Sequence, residues 1–405
     1  MNGEGSALSL SNRLGTYELI RPLAQGGMAD IYLARRLGPG HFERYVAVKI
    51  LSPSRAADAE ACAMFLDEAR VVALLNHHNI ASVLEVDVVD GNHYLAMEYV
   101  HGADLREVLA AAQHAGKLLP IETALEIVCA AAAGLDHAHR RCGPDGRPLK
   151  LVHRDVSLSN IMIGHDGSVK VVDFGIATTT IASVHTSPGM VRGKASYMSP
   201  EQCLGSRVDQ RTDVFALGVV LYELTCGARC FHGKTDFERM LAVVRGDFIA
   251  PGDLIASYPP ELEDVIRVAL AIDPANRFAS AAALRETLEW VAVMQGWAGG
   301  PEVIQRMMRG LFGDVPEPWT PHPDDALVTE PHAIVALPSI AEPTRPGRRC
   351  VLGSRADALD EQPPAVAEAD RDGRGPRCNP ARDSDDDRTR GRAPLRRPRG
   401  SWLAA

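Results

Sequence analysis

The chain has 405 residues, 46% of them hydrophobic, which leaves room for two or more domains with a large buried core. Its formal net charge of −9 argues against nucleic acid as a partner. No window approaches about eighteen uninterrupted apolar residues, and the polar N-terminus lacks a signal-peptide core, so we expect a cytoplasmic protein without a membrane span. The eight cysteines have no Cys-x-x-Cys spacing, which favours reduced thiols over a zinc site.

Strand patterns dominate the first quarter of the chain. Residues 17–37 and 44–51 alternate around a glycine-containing turn, and residues 80–100 alternate again around Asp90-Gly91-Asn92. Residues 57–75, which lie between these regions, have the apolar spacing of a helix. We therefore predict a strand-rich first lobe that contains one helix.

Helical patterns dominate after residue 100. Apolar spacing predicts helices over 104–114, 121–141, 212–226, 236–246, 261–271 and 281–294, and one more amphipathic helix within 297–313. A strand-rich portion followed by a helix-rich portion predicts an α+β protein with two lobes and a cleft between them.

The composition changes near the C-terminus. From about Asp314 onward, Pro, Asp and Arg replace apolar residues, so we predict a tail that cannot bury enough apolar surface to become ordered. The expected regions are a flexible N-terminus over 1–16, a main domain over 17–290 with lobes at about 17–97 and 101–290, a helical extension over 291–315, and a disordered tail over 316–405.

The most informative stretch runs from residue 151 to residue 175. Asp155 is followed five residues later by Asn160, and Asp173 comes thirteen residues after Asn160. Two short apolar runs joined by Gly164-His165-Asp166-Gly167 lie in between and predict a hairpin. Such a hairpin brings Asn160 and Asp173 to one end, where their oxygens could hold magnesium beside Asp155.

This layout resembles the catalytic loop and Asp-Phe-Gly segment of eukaryotic-type protein kinases. The resemblance implies that Asp155 orients a substrate hydroxyl and takes its proton while ATP transfers a phosphoryl group. It also implies that Asn160 and Asp173 bind Mg²⁺. The apolar contact that links the lobes in this family would here use four side chains, His153, Phe174, Val72 and Leu84.

Two charged residues of the first lobe extend the resemblance. Lys49 ends the strand 46–49, and Glu68 on the next helix offers the counter-charge that a buried lysine needs. The resemblance assigns Lys49 to the α- and β-phosphates of ATP and Glu68 to holding it. The other ATP contacts that it implies are Ala24, Gly26, Gly27, Ile31 and Ala47 from the first lobe, Met97, Glu98 and Val100 from the hinge, Asp104 at the ribose, and Met162 opposite Ala47. Taken alone, the stretch around Gly26 fits an ordinary hairpin turn equally well.

Several residues farther along resemble the substrate-binding lobe of the same family. Ser199-Pro200-Glu201 resembles the end of the activation segment, Asp213 the buried aspartate that braces the catalytic loop, and Arg277 the expected partner of Glu201. Arg154 precedes Asp155, where an arginine can pair with a phosphate on the activation segment. The candidate phosphorylation sites are Thr186 and Ser187.

Two positions depart from the pattern of serine/threonine members. Ser157 stands where they have a lysine, and Lys194 follows Gly193 where they have a threonine. Either the cation and the hydroxyl have exchanged places, so that Lys194 serves the transferring phosphate, or the site has decayed as in a pseudokinase. The Gly-Lys step resembles a subgroup of bacterial, especially myxobacterial, kinases.

The sequence therefore predicts a serine/threonine protein kinase that uses Mg²⁺ and ATP. Its expected partners are protein substrates, with a transient homodimer for autophosphorylation. The alternatives are a nucleotide-binding pseudokinase scaffold and a phosphotransferase for small molecules. A tyrosine kinase is disfavoured, because residues 155–160 lack the arginine and alanine pattern of that branch.

Overall fold

The computed structural model describes residues 13–26, 28–52, 55, 58–143, 145–174 and 194–318. Within them the predicted two-lobed α+β fold is confirmed. None of the helices in these residues has both the length and the apolar character that crossing a bilayer requires.

Six antiparallel strands form the sheet of the first lobe, in the order β1-β2-β3-β4-β6-β5. They are β1 (Arg13–Leu14), β2 (Tyr17–Gln25), β3 (Ala29–Leu37), β4 (Glu43–Leu51), β5 (Val83–Val89) and β6 (Asn92–Glu98). The N-terminus, predicted to be flexible through residue 16, thus already pairs with β2 at Arg13 and Leu14.

Strand β4 shows why this lobe has two apolar layers. Val46, Val48 and Ile50 are buried on one face of the sheet, and Ala47 and Leu51 on the other. Side chains of a strand alternate between faces, so Lys49, two residues from both Ala47 and Leu51, faces the same layer as they do. Helix α1 (Ala59–Val72) packs there, and its first turn is capped by the side chain of Asp58.

The second lobe is helical. Its helices are α2 (Leu105–His114), α3 (Ile121–His139), α4 (Pro200–Cys203), α5 (Arg211–Cys226), α6 (Asp236–Arg245), α7 (Pro251–Leu254), α8 (Pro260–Ala269), α9 (Ala281–Gln295) and α10 (Pro301–Phe312). All residues of α5 from Thr212 to Cys226 are buried, which places this helix at the centre of the main core.

A second, smaller sheet shares the main core with these helices and has the strand order β7-β8-β9. Its strands are β7 (Gly102–Asp104), β8 (Ile161–Gly164) and β9 (Val169–Val171). Ile161 pairs with Val171, and the backbone N–H of Val172 donates to the carbonyl of Asn160 at 3.0 Å. The predicted hairpin is confirmed, and it brings Asn160 next to the residue that precedes Asp173.

Candidate active site

A buried carboxylate holds the catalytic loop in place. Asp213, in the first turn of α5, accepts the backbone N–H groups of His153 and Arg154, each at 2.8 Å, and the Nε2–H of His139 at 2.7 Å. Burial alone would raise the pKa of Asp213, but its hydrogen bonds and the nearby histidines lower it below the ordinary value. Arg154 adopts a left-handed backbone with φ of 65°, a conformation that costs energy and that these bonds help to hold.

Asp155 and Asn160 form the centre of this loop. The Asn160 side-chain Nδ2 donates to the Asp155 backbone oxygen at 2.7 Å and to its Oδ2 at 2.9 Å. The amide oxygen of Asn160 consequently points away from Asp155 and accepts from the Ser159 hydroxyl at 3.3 Å. Oxygen donors of this kind suit Mg²⁺, so Asn160 and the carboxylate of Asp173 fit the predicted metal site by their chemistry.

Lys49 lies between two carboxylates. Its Nζ is 3.0 Å from Glu68 Oε1 on α1 and 3.0 Å from Asp173 Oδ1 after β9. Burial alone would lower the pKa of Lys49, but the charges of Asp173 and Glu68 outweigh it and raise the pKa above the ordinary value. The structure therefore brings together the predicted phosphate-binding lysine, its partner on the helix and one predicted metal ligand.

The predicted adenine contacts come from both lobes and from the linker between them. Ala47 and Met97 are paired across β4 and β6 and buried in one apolar cluster, against which Ile31 packs. Met162 lies on β8, opposite Asp104 on β7. Val100 follows β6 in the linker between the lobes and is partly buried.

Glu98 and Asp104 have protein partners already. The carboxylate of Glu98 accepts from the Ser82 N–H at 3.1 Å and pairs with Lys170 Nζ at 2.7 Å. The carboxylate of Asp104 caps α2 by accepting the Glu107 N–H at 2.8 Å, and its other oxygen contacts Arg106 at 3.0 Å. A ribose hydroxyl at Asp104 would therefore share oxygens that also serve the helix.

The loop between β2 and β3 is narrow. Ala24 pairs with Ile31, and the backbone N–H of Gly26 donates to Asp30 Oδ1 at 3.4 Å. A Cβ atom at Gly26 would lie 3.0 Å from the carbonyl oxygen of Ala29, a closer approach than side chains normally make. Gly27, which was predicted to contact phosphate, lies outside the described residues.

The predicted contact between the lobes needs one correction. The rings of His153 and Phe174 lie 4.6 Å apart as expected, and Phe174 shares a core with Val72. Leu84, however, packs against the opposite face of the sheet, while its neighbour Val83 packs against the core of Val72. Successive residues of a strand point to opposite faces, so an error of one residue moved the predicted side chain to the wrong face.

Glu201 and Arg277 form the predicted buried ion pair. Two guanidinium nitrogens of Arg277 each lie 2.8 Å from a different carboxylate oxygen of Glu201, and Thr212 donates to Oε1 at 2.7 Å. Burial alone would raise the pKa of Glu201, but these hydrogen bonds lower it below the ordinary value. The guanidinium also lies over the ring of Phe215, 4.9 Å from its centroid.

The exchange predicted between Ser157 and Lys194 stays a prediction. Ser157 is buried, with its hydroxyl 3.0 Å from that of Ser159. Lys194 begins the 3-10 turn Lys194–Tyr197, but its side chain lies outside the described part of the structure. The candidate phosphorylation sites Thr186 and Ser187 lie outside it as well.

Two residues of this region were missed from the sequence. His139 stands 74 residues before its partner Asp213, and no local pattern connects them. Lys170, which pairs with Glu98, could have been found, because it is one of only six lysines in the chain and lies in a short strand beside Asp173.

Comparisons with known proteins agree with this geometry. The model of the protein kinase domain matches residues 17–289. The tyrosine-protein kinase MasK of Myxococcus xanthus is 38% identical over 311 residues, which cover 77% of this chain and 48% of MasK. The serine/threonine-protein kinase PrkC of Bacillus subtilis is 36% identical over 267 residues, which cover 66% of this chain and 39% of PrkC. The chain thus spans less than half the length of these two relatives.

A solved structure leads to the same family. The crystal structure of the Mycobacterium tuberculosis PknI kinase domain superimposes with a TM-score of 0.52 and 29% identity, covering 70% of this chain and 99% of that one. The family model alone spans well over half of the chain. This chain belongs to the protein kinase family, with the bacterial eukaryotic-type kinases among its relatives.

Proposed function

We propose that the chain is a serine/threonine protein kinase that transfers the γ-phosphoryl group of ATP to hydroxyl groups of proteins. The observation that carries this proposal is the meeting of Lys49, Glu68 and Asp173 beside the Asp155–Asn160 pair. A pseudokinase that had lost its chemistry would have no need to keep all five groups together.

Each of these residues has a role in the proposed reaction. ATP supplies the phosphoryl group that is transferred, and Mg²⁺ neutralises the negative charge of the phosphates. Lys49, kept positive by its two carboxylates, positions the phosphates, and Glu68 holds Lys49. Asp155, oriented by the amide of Asn160, accepts the proton of the substrate hydroxyl. Asn160 Oδ1 and Asp173 are the metal ligands.

The adenine and ribose contacts complete the proposed nucleotide site. Ala24, Gly26, Gly27 and Ile31 cover the phosphates and the base, and the hinge backbone at Glu98 and Val100 bonds the adenine edge. Ala47, Met97 and Met162 enclose the ring, and Asp104 bonds the ribose.

The position of the tyrosines supports serine and threonine as the autophosphorylated residues. The eight tyrosines of the chain are Tyr17, Tyr32, Tyr45, Tyr94, Tyr99, Tyr197, Tyr222 and Tyr258. All eight lie in described residues and none is exposed. Residues 175–193 and 319–405 contain serine and threonine but no tyrosine. Autophosphorylation of the activation segment is therefore proposed at Thr186 or Ser187.

Arg154 supports that regulatory role. Its Nε is buried and has no hydrogen-bond partner among the described residues. A phosphate on the activation segment would supply the missing acceptor. We propose that phosphorylation occurs between two copies of the chain in a transient homodimer.

A second candidate is tyrosine phosphorylation of other proteins. The specific reason to keep it is MasK, 38% identical, whose name describes it as a tyrosine-protein kinase. The position of the tyrosines in this chain does not bear on a separate substrate, so the substrate residue must be measured.

The boundaries of the functional unit are also part of the proposal. We assign the kinase domain to residues 17–290, preceded by a short N-terminal segment and followed by a helical extension over 291–315 and a tail over 316–405. Since the reaction consumes ATP, we place the domain in the cytoplasm.

The test is phosphate transfer from labelled ATP by the wild-type chain and by Asp155→Asn, followed by phosphoamino acid analysis. We expect labelled phosphoserine or phosphothreonine from wild type and a loss of about a hundredfold to ten thousandfold in Asp155→Asn, since a positioned base contributes that much. ATP binding should persist in the variant. Wild-type binding without transfer would favour the pseudokinase, and phosphotyrosine would favour the second candidate.

A further inference from the structure

The last helix of the described residues, α10 (Pro301–Phe312), lies outside residues 17–289, which match the kinase family. It is amphipathic, and Ile304, Met307 and Met308 are buried in the main core of the second lobe. Helices α2 and α3 form the surface on which it packs. The helix is therefore an integral part of the second lobe.

The start of α10 rests on the turn of the β8–β9 hairpin. Gly167 in this turn has φ of 87°, and a Cβ atom there would overlap the carbonyl oxygen of Pro301 and lie 3.3 Å from the backbone nitrogen of Gln305. Only a glycine allows both the left-handed backbone and this close approach. The hairpin that carries the predicted metal ligands at one end thus touches α10 at the other.

The end of α10 reaches the linker between the lobes. The ring of Phe312 stands perpendicular to that of His165 at 6.1 Å, and the His165 ring lies 4.9 Å from that of His101. His101 donates from Nε2 to the carbonyl of Val315 at 3.3 Å, and its own carbonyl accepts the His165 N–H at 2.9 Å. His101 directly follows Val100, so these contacts end at the proposed adenine site.

We infer that residues Pro301–Val315, here named the hinge brace, position the linker for ATP binding. The inference rests on the proposed function, because it takes the hinge backbone to be the adenine contact. A linker that is ordered before ATP arrives loses less conformational freedom on binding. The contacts described for the brace reach the hairpin turn and the linker, whereas Lys49 bonds Glu68 and Asp173, so we expect the brace to act on ATP affinity rather than on phosphate transfer.

The first test displaces the brace from the hairpin in the full chain. Gly167→Ala puts a Cβ atom where Pro301 lies. The matched control is Gly91→Ala, since Gly91 also occupies a hairpin turn with φ of 77° but has no atom within 4 Å of a Cβ position. Both variants carry similar backbone strain, and only Gly167→Ala disturbs α10. Hydrogen exchange of residues 301–312 verifies the displacement.

The second test acts at the linker. His101→Ala removes the side-chain hydrogen bond to Val315 and the ring contact with His165, and it leaves the backbone hydrogen bond between His165 and residue 101 in place. His232→Ala, at an exposed histidine, is its control. If Gly167→Ala fails to fold, His101→Ala decides the question alone.

The measurements are ATP affinity, by displacement of a fluorescent ATP analogue in the presence of Mg²⁺, and the steady-state kcat and KM for ATP. We expect both test variants to weaken ATP binding and raise KM by roughly fivefold or more, the usual scale of coupling between sites, with kcat unchanged. The controls should match wild type. The decisive case is one in which the wild-type chain binds ATP, Gly167→Ala displaces α10 and His101→Ala folds. If both variants then bind ATP as tightly as their controls do, the proposed role of the hinge brace is refuted. A wild-type chain that binds no ATP would overturn the proposed function and the brace with it.

Discussion

Lys49 is held by two carboxylates, and both contacts measure 3.0 Å. We expect Lys49→Met to lower kcat/KM for ATP by about a hundredfold to a thousandfold, the scale of one lost electrostatic contact to the transition state. The change also leaves Glu68 and Asp173 facing the cleft without their common cation. Steady-state kinetics checks this, with Lys117→Met at an exposed lysine as control. Turnover near that of wild type would show that Lys49 does not position phosphate.

The Ser157 and Lys194 exchange is tested by a double-mutant cycle. If Lys194 supplies the missing cation, Lys194→Thr should slow single-turnover transfer by roughly tenfold to a thousandfold. Adding Ser157→Lys should restore much of the loss, because the cation then returns from the catalytic loop. Ser157→Lys alone should help little, since two ammonium groups would crowd one phosphate. The exchange would be refuted if Lys194→Thr left the transfer rate unchanged, or if the double variant transferred phosphate no faster than Lys194→Thr alone.

At the scale of single residues, the chemistry was easier to predict than the packing. Asp155, Asn160 and Asp173 could be located because their spacing around a hairpin is local in the sequence. Leu84 was assigned from the resemblance and lies on the wrong face, because successive residues of a strand alternate and an error of one residue reverses the face. The three hydrogen bonds of Asp213 join segments far apart in the chain, so only part of its role could be predicted.

Among the elements, the Glu201–Arg277 pair ties α4 to the loop before α9. Arg277 is fully buried, so Arg277→Leu leaves the Glu201 carboxylate buried without its cation. We expect a loss of about 3–5 kcal/mol in the free energy of unfolding, measured by urea denaturation. Adding Glu201→Gln should recover part of it, because no charge is then stranded.

The control for this experiment is Arg267→Leu, which removes an exposed partner of Glu263 on α8. A surface pair of this kind should contribute less than about 1 kcal/mol. Equal losses at Arg277 and Arg267 would contradict the account of Arg277 as a buried tie.

The turn after α1 should make stability depend on pH. Burial, together with nearby His78 and His137, lowers the pKa of His77 from 6.5 to about 4. Its neutral Nδ1 accepts the Asn79 N–H at 3.1 Å, and Asn79 Nδ2 in turn donates to the Val169 carbonyl in the other lobe. Protonation of His77 therefore opposes this contact between the lobes.

The sign of the effect follows from the lowered pKa. Below pH 6.5 the unfolded chain binds a proton that the folded chain does not, so His77 contributes stability above pH 6.5 that is lost as the pH falls towards 4. Between the two pKa values a difference of one bound proton corresponds to a slope of about 1.4 kcal/mol per pH unit, and solvent screening of the partly exposed ring narrows this pH window. His77→Asn keeps an acceptor for the Asn79 N–H but does not titrate. Urea denaturation between pH 7 and pH 4.5 should therefore show a shallower slope in this variant, and equal slopes would refute the assignment.

For the whole molecule, we expect truncation after Pro318 to leave kcat, KM for ATP and the melting temperature unchanged. The removed segment is rich in Pro, Arg and Asp, and the hinge brace stays intact. Enzyme kinetics and thermal denaturation of the truncated and full chains provide the comparison. A loss of turnover would mean that the tail docks on the kinase fold.

The two-lobed architecture could be predicted because the spacing of hydrophobic residues changes near residue 100. A period of two residues, which is typical of strands, gives way there to a period of 3.6 residues, which is typical of helices. The amphipathic pattern within 297–313 likewise predicted α10, which spans Pro301–Phe312. The residues against which this helix packs could not be predicted. The packing requires a glycine at position 167 and the rings of His101 and His165, and all three residues lie more than a hundred positions earlier in the chain.

The hydrogen bond between His101 and the carbonyl of Val315 holds the end of the hinge brace at the linker between the lobes. Residues 319–405 continue the chain from Pro318, three residues after this contact, and include several serines and threonines. Covalent attachment to the kinase domain gives such hydroxyls an effective concentration on the order of millimolar, so even weakly bound sequences among them compete well with separate substrates. Phosphate incorporated there would accumulate at a rate independent of protein concentration, in contrast to transfer within a dimer. Dilution therefore separates the two kinds of autophosphorylation.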